Sequence, residues 1–147
     1  MEKVTLFFCD ISGTFDCGTF FKINYKELNR FISNLKLIMK YYGTDKIIFS
    51  FVTTEDFNSA MLMDKDLRLY IDKDIYIGKH FYKKGNEVVN KAHNIFEYIQ
   101  QLEKEYIVNQ NIYYADDCEL YHYLLEELNN YFQSQYIIHS IIPKKMV

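Results

Sequence analysis

Tryptophan is absent from this 147-residue chain, proline occurs once and glycine five times. With so few chain breakers there is no low-complexity or Pro/Gly-rich linker, and no internal repeat divides the sequence. Arginine is confined to Arg30 and Arg68, and the formal net charge is -3. That balance offers no long-range attraction for a phosphate backbone, so nucleic acid is not expected as a partner. Cys9, Cys17 and Cys118 are odd in number and lack Cys-x-x-Cys spacing, which excludes a zinc knuckle or a redox pair. Reduced thiols in a cytoplasm are the expectation. No signal-like segment precedes the first apolar run. No run approaches the roughly 20 apolar residues that cross a bilayer, so a soluble chain without a membrane partner is expected.

What is present is a large apolar complement, 49% of residues, with 14 tyrosines and 12 phenylalanines. This is enough for one core and too little chain for two ordinary domains, so residues 1–147 are expected to form a single domain. Most of the tyrosines are expected at the core edge, rings packed and hydroxyls wet.

Val4 to Cys9 is apolar and β-prone throughout, as suits a central parallel strand covered on both faces. A flap or small hairpin is expected at about 15–24. Between Tyr25 and Tyr42, Leu28, Phe31, Ile32, Leu35, Ile38 and Met39 recur at spacings of three and four, which predicts an amphipathic helix closed near Gly43. Lys46 to Thr53 predicts a second core strand. Glu55 to Tyr70 predicts a helix, Ile75 to Ile77 a short strand, and about Asn86 to Lys104 a strong helix. Asn111 to Ala115 reads as a strand, Glu119 to Phe132 as a helix, and Tyr136 to Ile142 as a last strand ended by Pro143. The alternation argues for a three-layer α/β, Rossmann-like domain with a mainly parallel sheet.

In such a sheet Asp10, Thr53 and the pair Asp116-Asp117 all end strands at one edge, where open α/β sheets build their sites. A carboxylate there can attack a phosphoryl group and divide one hard displacement into two easier ones. The attack brings two anions together, so it needs a divalent cation on hard oxygen ligands and a fixed ammonium. Each of these residues also has an ordinary role open to it: Asp10 in a turn, Thr53 or the paired acids as helix caps, Lys83 and Lys84 as a solvated pair. The four histidines are dispersed and are expected in surface or packing roles.

The run Phe8-Cys9-Asp10-Ile11-Ser12-Gly13-Thr14 resembles the nucleophile motif Asp-x-Asp-Gly-Thr of the haloacid dehalogenase (HAD) superfamily, and three further landmarks follow in the family's order. Thr53 is similar to the phosphate-binding Ser or Thr of the second motif, with Thr54 as the alternative register. Lys84, ahead of Asn86-Glu87-Val88, is similar to the lysine that precedes or opens a helix in the third motif; Lys83 and Lys91 compete for the place. Ile112 to Asp117 is similar to the fourth motif's apolar strand and paired acids. The resemblance implies a HAD fold and an aspartyl-phosphate mechanism, with Asp10 as nucleophile and Thr53 or Thr54 with Lys84 on the phosphate. It implies Mg²⁺ held by Asp10, Asp116, Asp117 and the Ser12 backbone carbonyl.

Ser12 departs from the pattern, because HAD phosphatases carry a second aspartate there to protonate the leaving group. General acid-base help of that kind is worth roughly 10² to 10⁴ in rate, and serine supplies little of it at neutral pH. The motif is in this respect similar to the Asp-Lys-Thr-Gly-Thr of P-type ATPases, whose phosphoenzyme is comparatively long-lived. Two readings follow: a slow Mg²⁺-dependent phosphohydrolase or phosphotransferase, and a catalytically degenerate HAD fold used for binding or regulation. The short segments between motifs leave no room for a large cap. The resemblance implies that capless members often act on macromolecular phosphoesters or use oligomerisation to cover their sites, so a phosphorylated small molecule or macromolecule is the expected partner, with a homo-oligomer as the alternative cover.

Overall fold

The computed structural model describes residues 1–10, 25–44, 46–56, 68, 75–86, 89–133 and 135–142. Its elements run β1 (Lys3–Cys9), α1 (Tyr25–Tyr42), β2 (Lys46–Asp56), β3 (Ile75–Ile77), β4 (Phe81–Lys83), α2 (Lys91–Leu102), β5 (Ile107–Val108), β6 (Asn111–Ala115), α3 (Glu119–Tyr131) and β7 (Ile137–Ile141). The strands form one sheet in the order β3-β2-β1-β6-β7, with β4 pairing with β2 and β5 with β1. Every strand pair is parallel. β1 lies at the centre, and Val4 through Cys9 are all buried, which explains its unbroken apolar sequence.

Alternation along β1 sends its side chains to two cores. Phe7 and Cys9 join Phe49 and Phe51 under Ile32 and Leu35 of α1. Val4, Leu6 and Phe8 join Ile48 and Val52 under Ala92, Ile95 and Ile99 of α2 and Leu125 of α3. The domain is therefore three-layered, α1 on one face and α2 with α3 on the other. Register pairs Cys9 with Phe51 on one side and with Ala115 on the other, and Ala115 with Ile141. The carboxyl ends of β1, β2, β6 and β7 thus share one edge.

Two expectations are corrected. Glu55 and Asp56 belong to β2 rather than to a following helix, because β4 runs alongside and pairs Asp56 with Lys83. The helix expected from Asn86 begins at Lys91, where Asn90 caps it by accepting from the His93 N–H at 3.1 Å. Strands β4 and β5 were not expected. Of the predicted Glu55 to Tyr70 helix, most lies outside the described residues, as do Ser12, Gly13, Thr14 and the flap.

β3 ends at a close contact. The Gly78 N–H donates to the Phe49 carbonyl at 2.7 Å. A Cβ on Gly78 would lie 2.7 Å from Ile48 Cγ2, Ser50 Oγ and the Tyr98 hydroxyl, so glycine is required by space alone.

Candidate active site

The sheet carries the backbone of Asp10 and Asp116 one step past the last paired residues. Asp10 N–H donates to the Ala115 carbonyl at 2.8 Å, and Asp116 N–H to the Ile141 carbonyl at 3.1 Å. Both carboxylates follow the even-numbered alternation that places Phe8 and Tyr114 on the α2 face. Lys91, the first residue of α2, reaches between them. Its Nζ donates to Asp10 Oδ1 at 3.0 Å and to Asp116 Oδ2 at 2.8 Å, and it lies 4.5 Å from the centre of the Tyr121 ring. All three charged side chains are at most 5% exposed. A cation in a helix's first turn opposes the helix dipole, so this lysine is held by its acids and the aromatic face rather than by the helix.

The ammonium at the acids is therefore Lys91, which corrects the expectation that put Lys84 there. Lys84 is exposed, with Nζ 5.6 Å from the centre of the Tyr82 ring. Lys83 is also exposed, at the end of β4. The reason is the helix start: with Asn90 as cap, the lysine that opens the helix is Lys91. Thr53 is fully buried and Thr54 exposed, both beyond Phe51 on β2 and so at the same sheet edge as Asp10.

Asp116 is bound on every side. Its Oδ2 accepts from the Tyr114 hydroxyl at 2.5 Å as well as from Lys91, its Oδ1 accepts from the Cys118 N–H at 2.9 Å, and its carbonyl accepts from His122 Nε2 at 2.8 Å. That last contact fixes the proton of a neutral His122 on Nε2. His122 packs edge-on to Tyr114, with ring centres 4.7 Å apart. Sequence reasoning missed Tyr114, Tyr121 and His122. Tyr114 had a usable signal, a tyrosine two residues before an acid on the same face of a strand.

The electrostatics follow from burial and crowding. Burial pushes the Asp10 carboxyl up to about 7; Lys91 opposes this, while Asp116 and Asp117 reinforce it. Burial pulls the Lys91 ammonium down, but Asp10 and Asp116 outweigh it and leave its pKa above the ordinary lysine value. Burial, then Asp116, holds the Tyr114 hydroxyl well above its usual range, so it remains a donor. Burial, then Asp10, likewise raises the Cys9 thiol, an inert neighbour that donates to the Asp10 carbonyl at 3.1 Å.

Among the described residues, one ammonium thus meets two of three clustered acids. Carboxylate oxygens of Asp10, Asp116 and Asp117 all lie within 4.8 Å of one another. Octahedral ligands at 2.0–2.1 Å from Mg²⁺ span up to about 4.2 Å, so a small closure would seat the ion on hard oxygen donors. Burial, reinforced by Asp116 and Asp117, disfavours the charge on Asp10, and such a cation would favour it. The residues present fit the ion.

A parallel sheet in this order, helices on both faces and an acid cluster at the carboxyl edge define a HAD-like, Rossmann-type α/β fold. Among solved structures, the HAD domain of the effector protein Lem4 from Legionella pneumophila has this fold: the two match with a TM-score of 0.53 at 10% identity, over 98% of this chain and 88% of that one. No family model matches the sequence, and no curated protein matches it. No described helix is long and apolar enough to cross a membrane.

Proposed function

We propose that this chain is a Mg²⁺-dependent phosphohydrolase or phosphotransferase of HAD type that works through an aspartyl phosphate on Asp10. The observation that carries the reading is the buried contact of Lys91 with Asp10 and Asp116 at the ends of adjacent parallel strands. A buried ammonium between two carboxylates, beside a further acid at the carboxyl edge of a parallel sheet, is an arrangement that can stabilise a transferring anion.

In this reading an Asp10 oxygen attacks phosphorus, the bond to the leaving oxygen breaks, and its electron pair departs with that oxygen, which takes a proton from water. Lys91, with Thr53 or Thr54, holds the non-bridging oxygens. Held by Asp10 and the paired acids, Mg²⁺ would neutralise phosphoryl charge and keep Asp10 ionised. Ser12 stands where a carboxylic acid would protonate the leaving group, so turnover is slow and the phosphoenzyme long-lived. The short segments between the motifs leave no room for a large cap, which favours a phosphorylated small molecule or macromolecule in the cytoplasm as substrate, or a second copy as cover.

Ser12 also favours a second reading, a degenerate site that binds phosphorylated partners without turnover. Fluorine NMR with Mg²⁺ and beryllium fluoride separates the two when read beside assays on a phosphoester panel. Wild type is expected to give a bound signal that Asp10→Asn lacks, together with slow hydrolysis. An adduct without turnover selects the binding reading, and neither adduct nor turnover rejects the phosphoryl-transfer site.

A further inference from the structure

Asp116 and Asp117 are adjacent in sequence but not equivalent in surroundings. Asp116 is wholly buried, and three donors, Lys91 Nζ, the Tyr114 hydroxyl and the Cys118 N–H, occupy its two oxygens. An ionised carboxylate has about four acceptor positions, so three of them are filled before any ligand arrives. Asp117 is partly exposed, at the same cluster. We propose that Tyr114 is a positioning residue: its hydroxyl turns Asp116 into the anchor of the Lys91 ammonium, and a divalent cation falls to Asp10 and Asp117.

The geometry assigns the tyrosine this part. Oδ2 of Asp116 accepts from Lys91 at 2.8 Å and from Tyr114 at 2.5 Å, so the hydroxyl fixes which oxygen the ammonium meets. The Cys118 N–H donates to the other oxygen at 2.9 Å, and the two hydrogen bonds together keep the carboxylate from turning. The Tyr114 ring is clamped by His122, whose Nε2–H is in turn donated to the Asp116 carbonyl. Side chain and backbone of Asp116 are thus locked from opposite directions. Without the hydroxyl, the carboxylate can rotate toward the cation side and release the lysine.

Two measurements test this. Amine-directed labelling mapped by mass spectrometry, under conditions where every variant is folded, reads how firmly Lys91 is held. Tyr114→Phe and Asp116→Asn are expected to raise Lys91 labelling about tenfold, the size of one hydrogen bond to a charged group. Asp117→Asn, and Asn109→Ala as a control destabilised far from the site, are expected to leave it unchanged. Equal protection in wild type and Tyr114→Phe would overturn the proposal, as would equal labelling of Tyr114→Phe and Asn109→Ala. Mn²⁺ titration followed by electron paramagnetic resonance reads the cation; Asp117→Asn is expected to weaken binding at least about tenfold more than Asp116→Asn. The reverse order would also overturn it. The cation half rests on the proposed phosphoryl-transfer site, and a wild type that binds no Mn²⁺ would reject that half while the labelling still decides the role of Tyr114.

Discussion

The two ends of the central strand each bury a polar cluster, and the clusters are built on opposite principles. At the amino end Thr5 donates to Thr44 Oγ1 at 3.1 Å, and Asn109 donates to Thr5 Oγ1 at 3.4 Å while its own Oδ1 accepts from the Asn111 backbone at 2.9 Å. Every group there is neutral, and the network ties α1, β1 and the β5–β6 turn together. At the carboxyl end Asp10, Lys91 and Asp116 bury charge, with Asp117 beside them, and among the described residues the acids outnumber the ammonium. A neutral network satisfied internally needs nothing further, whereas the described charged groups leave one acid over, which is where the proposed cation would bind.

Removing the ammonium is the most severe way to break this comparison. Lys91→Met leaves two buried carboxylates uncompensated and is expected to cost about 3–5 kcal/mol in urea unfolding and to abolish the beryllium fluoride adduct. A loss below about 1 kcal/mol would mean that the trio is not buried as described.

Next comes pH. Asp10 has a folded-state pKa near 7, above its unfolded value, so between about pH 4 and pH 7 the folded protein holds a proton that the unfolded chain has released. Its contribution to stability is full below pH 4 and is lost as pH rises through 7. Asp10→Asn lacks this loss, and its unfolding free energy relative to wild type is expected to grow by roughly 2–4 kcal/mol between pH 4 and pH 8 without divalent cation. Added Mg²⁺ is expected to shrink the difference, and a difference independent of pH would contradict the raised carboxyl.

Asn109→Ala sharpens the contrast from the other end. Loss of its two roles is expected to cost about 1–3 kcal/mol while leaving phosphate-site chemistry unchanged. The smallest effect is expected from Asn90→Ala, about 1 kcal/mol for the lost cap, with fraying of the first turn that carries Lys91. Hydrogen exchange of the first residues of α2 would show it.

The long elements were legible because their periods were long. β1, α1, α3 and β6 appear within a residue or so of their expected bounds, and the mainly parallel sheet was expected from the alternation of strands and helices. β4 and β5, at three and two residues, are too short to carry a period; they exist because β2 and β1 offer them partners. The misplaced lysine has a clear physical origin. Val88 and Val89 continue the apolar spacing of α2 backwards, so periodicity extends the helix to Asn86, but the Asn90 side chain ends it at Lys91. Capping overrode periodicity, and Lys84 gave way to Lys91. Asp10 and Asp116 were visible as acids ending apolar strands. The support from α3 was not, because the Tyr121 ring meets the Lys91 ammonium only through the tertiary fold.

Gly78 gives the molecule a mechanical fulcrum. It touches β2 through Ile48 and Ser50 and touches α2 through Tyr98, at a point where no side chain fits. A single methyl inserted there would overlap Ile48, Ser50 and Tyr98 at once, so a substitution at this uncharged position is expected to disturb the packing of the sheet against α2, the helix that opens with Lys91.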